Sequence, residues 1–211
     1  MLCSPKLSLY AREIQSYLDE EARRREAYYD WLTPDIKAEF INGEIIVQSP
    51  AKKRHTDVVA NLATLLRTYV DEHDLGFLGA ETVLITLTRN DYLPDIAYFT
   101  AGRARELSPD QMKFPPPDFI VEVLSPSTEE KDRELKFEDY AAHGVREYWL
   151  VDPEQQTVEQ YFLRGEVYQL LLKVKAGPLS SEVISGFTIP VEAVFDAKVK
   201  NQVLGQILAS N

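Results

Sequence analysis

The sequence predicts an α/β (α+β) protein, a mixed β-sheet flanked by helices, with a helical arm ahead of it and a β-hairpin near its end. Three observations predict this. Val58, Val59, Leu62, Leu65, Leu66, Tyr69 and Val70 fall at spacings of three and four, the period of an amphipathic helix. After them come strand-like runs, a second helical stretch and the apolar run REYWLVDP, so the core order is helix, three strands, helix, strand. The composition, 45% apolar and 27% charged over 211 residues, suits one globular domain with a substantial core.

Each element has its own signal. Residues 9–30 are rich in Glu, Arg and Ala, with Ile14, Leu18 and Ala22 four apart, which predicts a charged helix. Residues 1–36 are read as a helical extension without assigned role, and residues 37–211 as the main domain. In KAEFINGEIIVQSP, Asn42-Gly43 joins two short β-prone runs, the usual sequence of a type I′ hairpin turn. The first core helix follows Ser49-Pro50 and ends near Gly76, and His55 lies one turn before Val59 on its apolar stripe. ETVLITL, YLPDIAYF and DFIVEVLS are the three strands, the last reached through Pro115-Pro116-Pro117. Ser127 with Glu130 fits a capping box, opening a helix to about His143 with Gly144 as its stop. REYWLVDP is a buried strand closed by Asp152-Pro153, and TVEQYFLRGEVYQLLLKV is a hairpin turning at Arg164-Gly165.

Charge and cysteine usage narrow the function classes. A formal net charge of −11 provides no global basic field, so a polyanion must be met by local cations or by metal. The single cysteine, Cys3, excludes disulfides within the chain and Cys-based zinc sites, and points to a reducing cytoplasm. The first residues lack the pattern of a secretory leader, and no run of eighteen apolar residues occurs, so neither export nor membrane insertion is expected.

Glu122 interrupts the apolar run of DFIVEVLS, and an ionised carboxylate in a strand buried on both faces is costly unless paired or metal-bound. Either it lies on an exposed face or it serves a site. Asp95 raises the same question in YLPDIAYF, and if the two strands are neighbours the two acids converge. Such a pair, with water and a phosphate oxygen, supplies the hard oxygen ligands of Mg²⁺; the alternative is two solvated residues on an open sheet face. Asp132, Lys136 and Tyr140 are four apart, one stripe of the next helix. Lys136 either brings its ammonium to the acids or forms a surface pair with Asp132. Lys52, Lys53, Arg54 and His55 open the first core helix, where backbone N–H groups favour anions, although such a helix start is also commonly just solvated.

PDIAYF, VEVLSPST, a lysine in the next helix and GVREYWLVDP together resemble the Uma2 family (DUF820), abundant in cyanobacteria and similar to PD-(D/E)xK nucleases. FINGEIIVQSP and His55 also look like the opening of that family, and the resemblance spans roughly residues 37–195. It implies a restriction-endonuclease-like core, with Asp95 and Glu122 as acids binding Mg²⁺ or Mn²⁺ and DNA as substrate. It also implies catalytic roles for Lys136 and His55, and for Glu44 at the family's Asn-Gly-Glu position. Leu124 departs from the nuclease pattern, because it holds the lysine position two residues after Glu122. Lys136 is then the natural replacement, and the competing expectation is a catalytically degenerate fold that binds nucleic acid or protein. A homodimer is expected, through the hairpin or the amino-terminal arm.

Overall fold

A computed structural model describes residues 5–209, and Cys3 lies outside them. In chain order the elements are α1 (Leu7–Trp31), β1 (Ala38–Ile41), β2 (Glu44–Val47), α2 (Lys53–Glu72), β3 (Gly76–Ala80), β4 (Leu84–Thr86) and β5 (Asp91–Tyr92). There follow β6 (Ile96–Thr100), α3 (Ala101–Ala104), β7 (Lys113–Phe114), β8 (Phe119–Val123), α4 (Glu129–Arg133), α5 (Leu135–Ala142) and β9 (Glu147–Asp152). The chain closes with β10 (Thr157–Arg164), β11 (Val167–Val174), β12 (Pro178–Ser180), β13 (Thr188–Pro190), α6 (Glu192–Phe195) and α7 (Ala197–Ala209). They form two compact units, one ending at Ser49 and taking in Thr88–Tyr92, the other made of Pro50–Leu87 and the chain from Leu93 onward.

In the first unit Asn42 and Gly43 take φ of 51° and 86°, the left-handed pair a type I′ turn requires, and Ile41 pairs with Glu44 across it. Strand β1 pairs on its other side with β5, Phe40 opposite Asp91. The charged composition of α1 has a local reason. Arg25 donates to both oxygens of the fully buried Asp91 at 2.6 and 2.9 Å, and to the carbonyls of Thr88 and Asn90 at 2.9 and 3.1 Å. Tyr29 donates to the same carboxylate, Arg89 grips the buried Glu21 at 2.9 and 2.7 Å, and Tyr28 donates to the Ala38 carbonyl at 2.6 Å.

The second unit is built on a six-stranded sheet in the order β11-β10-β9-β8-β6-β3. Strands β8 and β9 run parallel, so a crossover must join them, and α4 and α5 are that crossover. On one face Val59, Leu62, Leu66 and Val70 of α2 pack with Ile96, Tyr98, Phe119, Val121, Trp149 and Val151. On the other, Phe137 and Tyr140 of α5 meet Tyr148 edge-on, at centroid distances of 6.0 and 5.4 Å. No helix among the described residues is long and apolar enough to cross a membrane.

Two sequence expectations need correction. The first strand of the sheet is β3, and ETVLITL contributes only β4, which pairs in parallel with β7. In GFLGA, whose Gly76 marks the expected end of the helix before it, close packing requires the glycines. A Cβ on Gly76 would run into the Phe99 carbonyl oxygen, and one on Gly79 into the Val83 side chain. The helix after Ser127 is likewise two helices broken at Glu134 (φ −116°, ψ −80°). No capping box forms; Thr128 is the N-cap without a side-chain bond to the helix backbone, and the Ser125 hydroxyl lies 3.0 Å from those of both Ser127 and Thr128. Hydroxyls bonded to one another replace the reciprocal bonds of the box.

Candidate functional site

Alternation along β8 decides the direction of Glu122. Phe119, Val121 and Val123 enter the core beneath α2, so Glu122 points to the opposite face, where α5 covers it. It is 4% exposed, which eliminates the open-face alternative. Its Oε1 accepts hydrogen bonds from Lys136 Nζ and from the Tyr140 hydroxyl, each at 3.0 Å. Lys136 is equally buried, and its ammonium also lies 3.3 Å from Oδ1 of Asp132, itself 1% exposed. The stripe of Asp132, Lys136 and Tyr140 survives the break at Glu134 and closes over Glu122 rather than facing solvent. From below, the Tyr148 hydroxyl donates to the Asp132 carbonyl at 3.0 Å and fixes the end of α4.

Asp95 stands at the bend before β6, not within the strand. The antiparallel register pairs Ile96 with Val121, and one step further sets Asp95 across from Glu122, so the two strands carrying the acids are neighbours. Asp95 Oδ2 accepts the Val123 backbone N–H at 2.7 Å, and Oδ1 lies 3.0 Å from Nε2 of His55. That hydrogen bond raises the His55 pKa above its ordinary value against the opposing effect of burial, and the charges of Asp95, Glu81 and Asp132 add to it. His55 Nδ1 is buried without a hydrogen-bond partner.

The structure therefore gathers four of the sequence-selected residues, His55, Asp95, Glu122 and Lys136, into the second unit. Glu44 belongs to the first unit, where it is exposed on β2 opposite Ile41. Of the cations opening α2, Lys53 pairs with Asp57, and Arg54 pairs with Glu154 at 3.3 Å. Leu124 is buried with its backbone N–H on the Val151 carbonyl at 2.8 Å, and Lys136 brings an ammonium to the carboxylate that Leu124 leaves without one. Sequence reasoning assigned no role to Tyr140 and left Asp132 between site and surface. The signal for both was their spacing of four from Lys136.

The donor chemistry bears on metal. Asp95, Glu122 and Asp132 are oxygen acids of the kind that suit Mg²⁺ or Mn²⁺, and with the two nearby bases charged they leave a negative excess. Among the described residues no group of three or more His, Cys, Asp or Glu is arranged to hold an ion. The residues fit an ion held by one or two carboxylates with its shell completed by water and a substrate phosphate, which is common for Mg²⁺.

Comparison with known proteins agrees with this fold. A protein of Anabaena variabilis, described as "a putative nuclease belonging to DUF820", superposes with a TM-score of 0.66 over 83% of this chain and 96% of its own, at 19% identity. Two uncharacterized proteins of Synechocystis sp., slr1290 and sll1609, are 28% identical over 193 residues and 30% identical over 140 residues. These alignments cover 90% and 65% of this chain, and 92% and 78% of the relatives. The mixed sheet flanked by helices is thus a restriction-endonuclease-like fold. The model of the Uma2 family, described as "Putative restriction endonuclease", matches residues 25–192, and the chain belongs to that family.

Proposed function

We propose that this protein is an endonuclease that hydrolyses DNA phosphodiesters with Mg²⁺ or Mn²⁺, and that Asp95 and Glu122 are its metal ligands. One observation carries the proposal. A lysine and two acids, Lys136, Glu122 and Asp132, are buried together on β8 and the helices over it, with the half-buried Asp95 at the neighbouring strand, and a chain with no catalytic use for them gains little by burying them. The ion would polarise the phosphate and acidify a bound water. Lys136 offers a fixed ammonium to the charge that develops on the phosphoryl oxygens, the part played elsewhere by the lysine that Leu124 replaces. Tyr140 holds Glu122 and His55 holds Asp95, so each acid is oriented by a neighbour. Glu44 enters only through the family's Asn-Gly-Glu position. A homodimer in the cytoplasm completes the proposal, supported by the lone Cys3 and by the surfaces of the arm and hairpin.

Asp95→Asn and Glu122→Gln should each abolish metal-dependent cleavage of plasmid DNA while circular dichroism and melting stay close to wild type. Cleavage by Glu122→Gln at the wild-type rate overturns the assignment. The buried Leu124 and the net charge of −11 support a second reading, a degenerate nuclease fold that binds nucleic acid or protein. Calorimetry separates the two: Mg²⁺ or Mn²⁺ binding that disappears in Asp95→Asn favours the enzyme, and no such binding favours the module.

A further inference from the structure

The arginines of this chain are used in two ways. Arg25, Arg89 and Arg133 each lay two nitrogens on a buried carboxylate at 2.6–3.0 Å, so their forks are spent. Arg103 of α3 and Arg146, just ahead of β9, do otherwise. Both approach the same oxygen, Oδ1 of Asp118, at 3.5 and 3.3 Å, and no other acid among the described residues pairs with either. Their side chains are 38% and 48% exposed, against 8% for Asp118. Asp118 has no second oxygen to offer, because Oδ2 accepts the Thr100 backbone N–H and hydroxyl at 2.8 and 2.9 Å. Two guanidiniums on one carboxylate leave a positive charge facing water, on a chain whose net charge is −11.

The pair is held firmly, and it stands in line with the candidate site. The backbone N–H groups of Arg146 and Glu147 both donate to the Asp118 carbonyl, at 3.1 and 3.2 Å, and Arg103 stands on the short helix that continues β6. Asp118 immediately precedes β8, and Glu122 follows four residues later on the same face, about 13 Å away at the rise of a strand. B-DNA advances that far in about four base pairs. We infer that Arg103 and Arg146 together hold one backbone phosphate of the DNA duplex, about four base pairs from the phosphate that is cut. A phosphate presents oxygens to both forks at once, which the single free oxygen of Asp118 does not. Such a contact reads no sequence; it sets the register of the duplex against Glu122.

This inference rests on the reading of the protein as a DNA endonuclease and adds the place where the duplex is gripped. Fluorescence anisotropy of a labelled DNA duplex, with Ca²⁺ in place of Mg²⁺, measures binding apart from cleavage. Arg103→Gln and Arg146→Gln should each weaken binding about tenfold. In the double variant the slope of log affinity against log salt should fall by about one. Lys198→Gln removes the same charge from α7, which packs with α2 on the far face of the sheet, and should bind as wild type does. Asp118→Asn keeps an oxygen for Thr100 and both guanidiniums but removes the competing charge, so it should bind more tightly; arginines that serve only the fold predict no gain. Should an arginine variant melt early, Asp118→Asn decides alone. Folded arginine variants that lose no more affinity than Lys198→Gln, or an Asp118→Asn protein that binds no more tightly than wild type, overturn the clamp and leave the endonuclease reading standing. A wild-type chain that does not bind the duplex overturns both.

Discussion

Asp91 in the first unit and Glu122 in the second are both buried carboxylates held by one cation and one tyrosine hydroxyl, yet the cations hold them differently. Arg25 lays its planar fork along both oxygens of Asp91 and spends its remaining N–H groups on two carbonyls. That arrangement is closed, since charge is matched one to one and each polar group has a geometric reason to stay. Lys136 is a point charge shared between Glu122 and Asp132, at 3.0 and 3.3 Å. Two acids to one ammonium leave negative charge in excess, and an ammonium can shift between partners in a way a bidentate guanidinium cannot. Two buried carboxylates with the same kinds of partner therefore differ in kind: the first fastens α1 to β5 and the turn before it, and the second keeps a cation in reserve among surplus acids.

The largest expected effect tests the closed side. Asp91→Ala should cost about 3–5 kcal/mol of unfolding free energy, because the charged and largely covered Arg25 loses its carboxylate, and urea titration measures it. A loss under about 1 kcal/mol would mean that the Arg25–Asp91 pair is worth no more than a surface one. Lys136→Met should cost about 2–4 kcal/mol in chelator-treated buffer by forcing two buried acids together. Mn²⁺ should then raise its melting temperature by more than that of Asp91→Ala, whose site keeps its lysine; equal responses would mean that removing Lys136 does not open the acids to a cation.

Glu159 is an intermediate case. It is buried, but Arg133 and Lys173, which bond it at 2.9–3.0 Å, reach solvent. Burial raises its pKa, and the bonds from Arg133, Tyr161 and Lys173 outweigh that and bring it from 4.5 to about 2. A depressed carboxylate stabilises the fold above its unfolded pKa and loses that contribution as the pH falls through its folded one. Glu159→Gln should accordingly cost roughly 1–2 kcal/mol at neutral pH. The gap to wild type should close as the pH falls from 4.5 toward 2, which acid titration of the two proteins would follow. The smallest effect is Tyr140→Phe, about 1 kcal/mol for one hydrogen bond to a carboxylate that retains Lys136. A larger loss, seen by differential scanning calorimetry, would show that the hydroxyl and not the ammonium dominates the grip on Glu122.

Much of this was legible in the chain because the decisive signals are local. Asn42-Gly43 specifies its turn by conformation alone, and the spacing of Asp132, Lys136 and Tyr140 aligns them on one helical stripe even across the break at Glu134. Glu122 was legible because a charge in a strand of valines and isoleucines is hard to explain otherwise. The illegible parts depend on partners distant in sequence. Gly76 reads only as the end of a helix, and Gly79 carries no signal, until Phe99 and Val83 are set against them. The role of α1 was hidden for the same reason, since Arg25 finds Asp91 sixty-six residues away. Leu124 stands two residues after Glu122 in the sequence, but only packing shows that a lysine from another element approaches the same acid.

The parallel pairing of β8 with β9 bears on how the molecule acquires its site. Antiparallel neighbours can zip from a turn, but a parallel pair cannot form until the intervening chain has crossed over the sheet. Here that chain is α4 and α5, which carry Asp132, Lys136 and Tyr140. The crossover that must form for β8 and β9 to pair also lays the lysine over Glu122, so strand pairing and site assembly should share one transition state. Substitutions at Lys136 or Tyr148 should therefore slow refolding as well as speed unfolding, whereas substitutions in the β10–β11 hairpin should act mainly on unfolding.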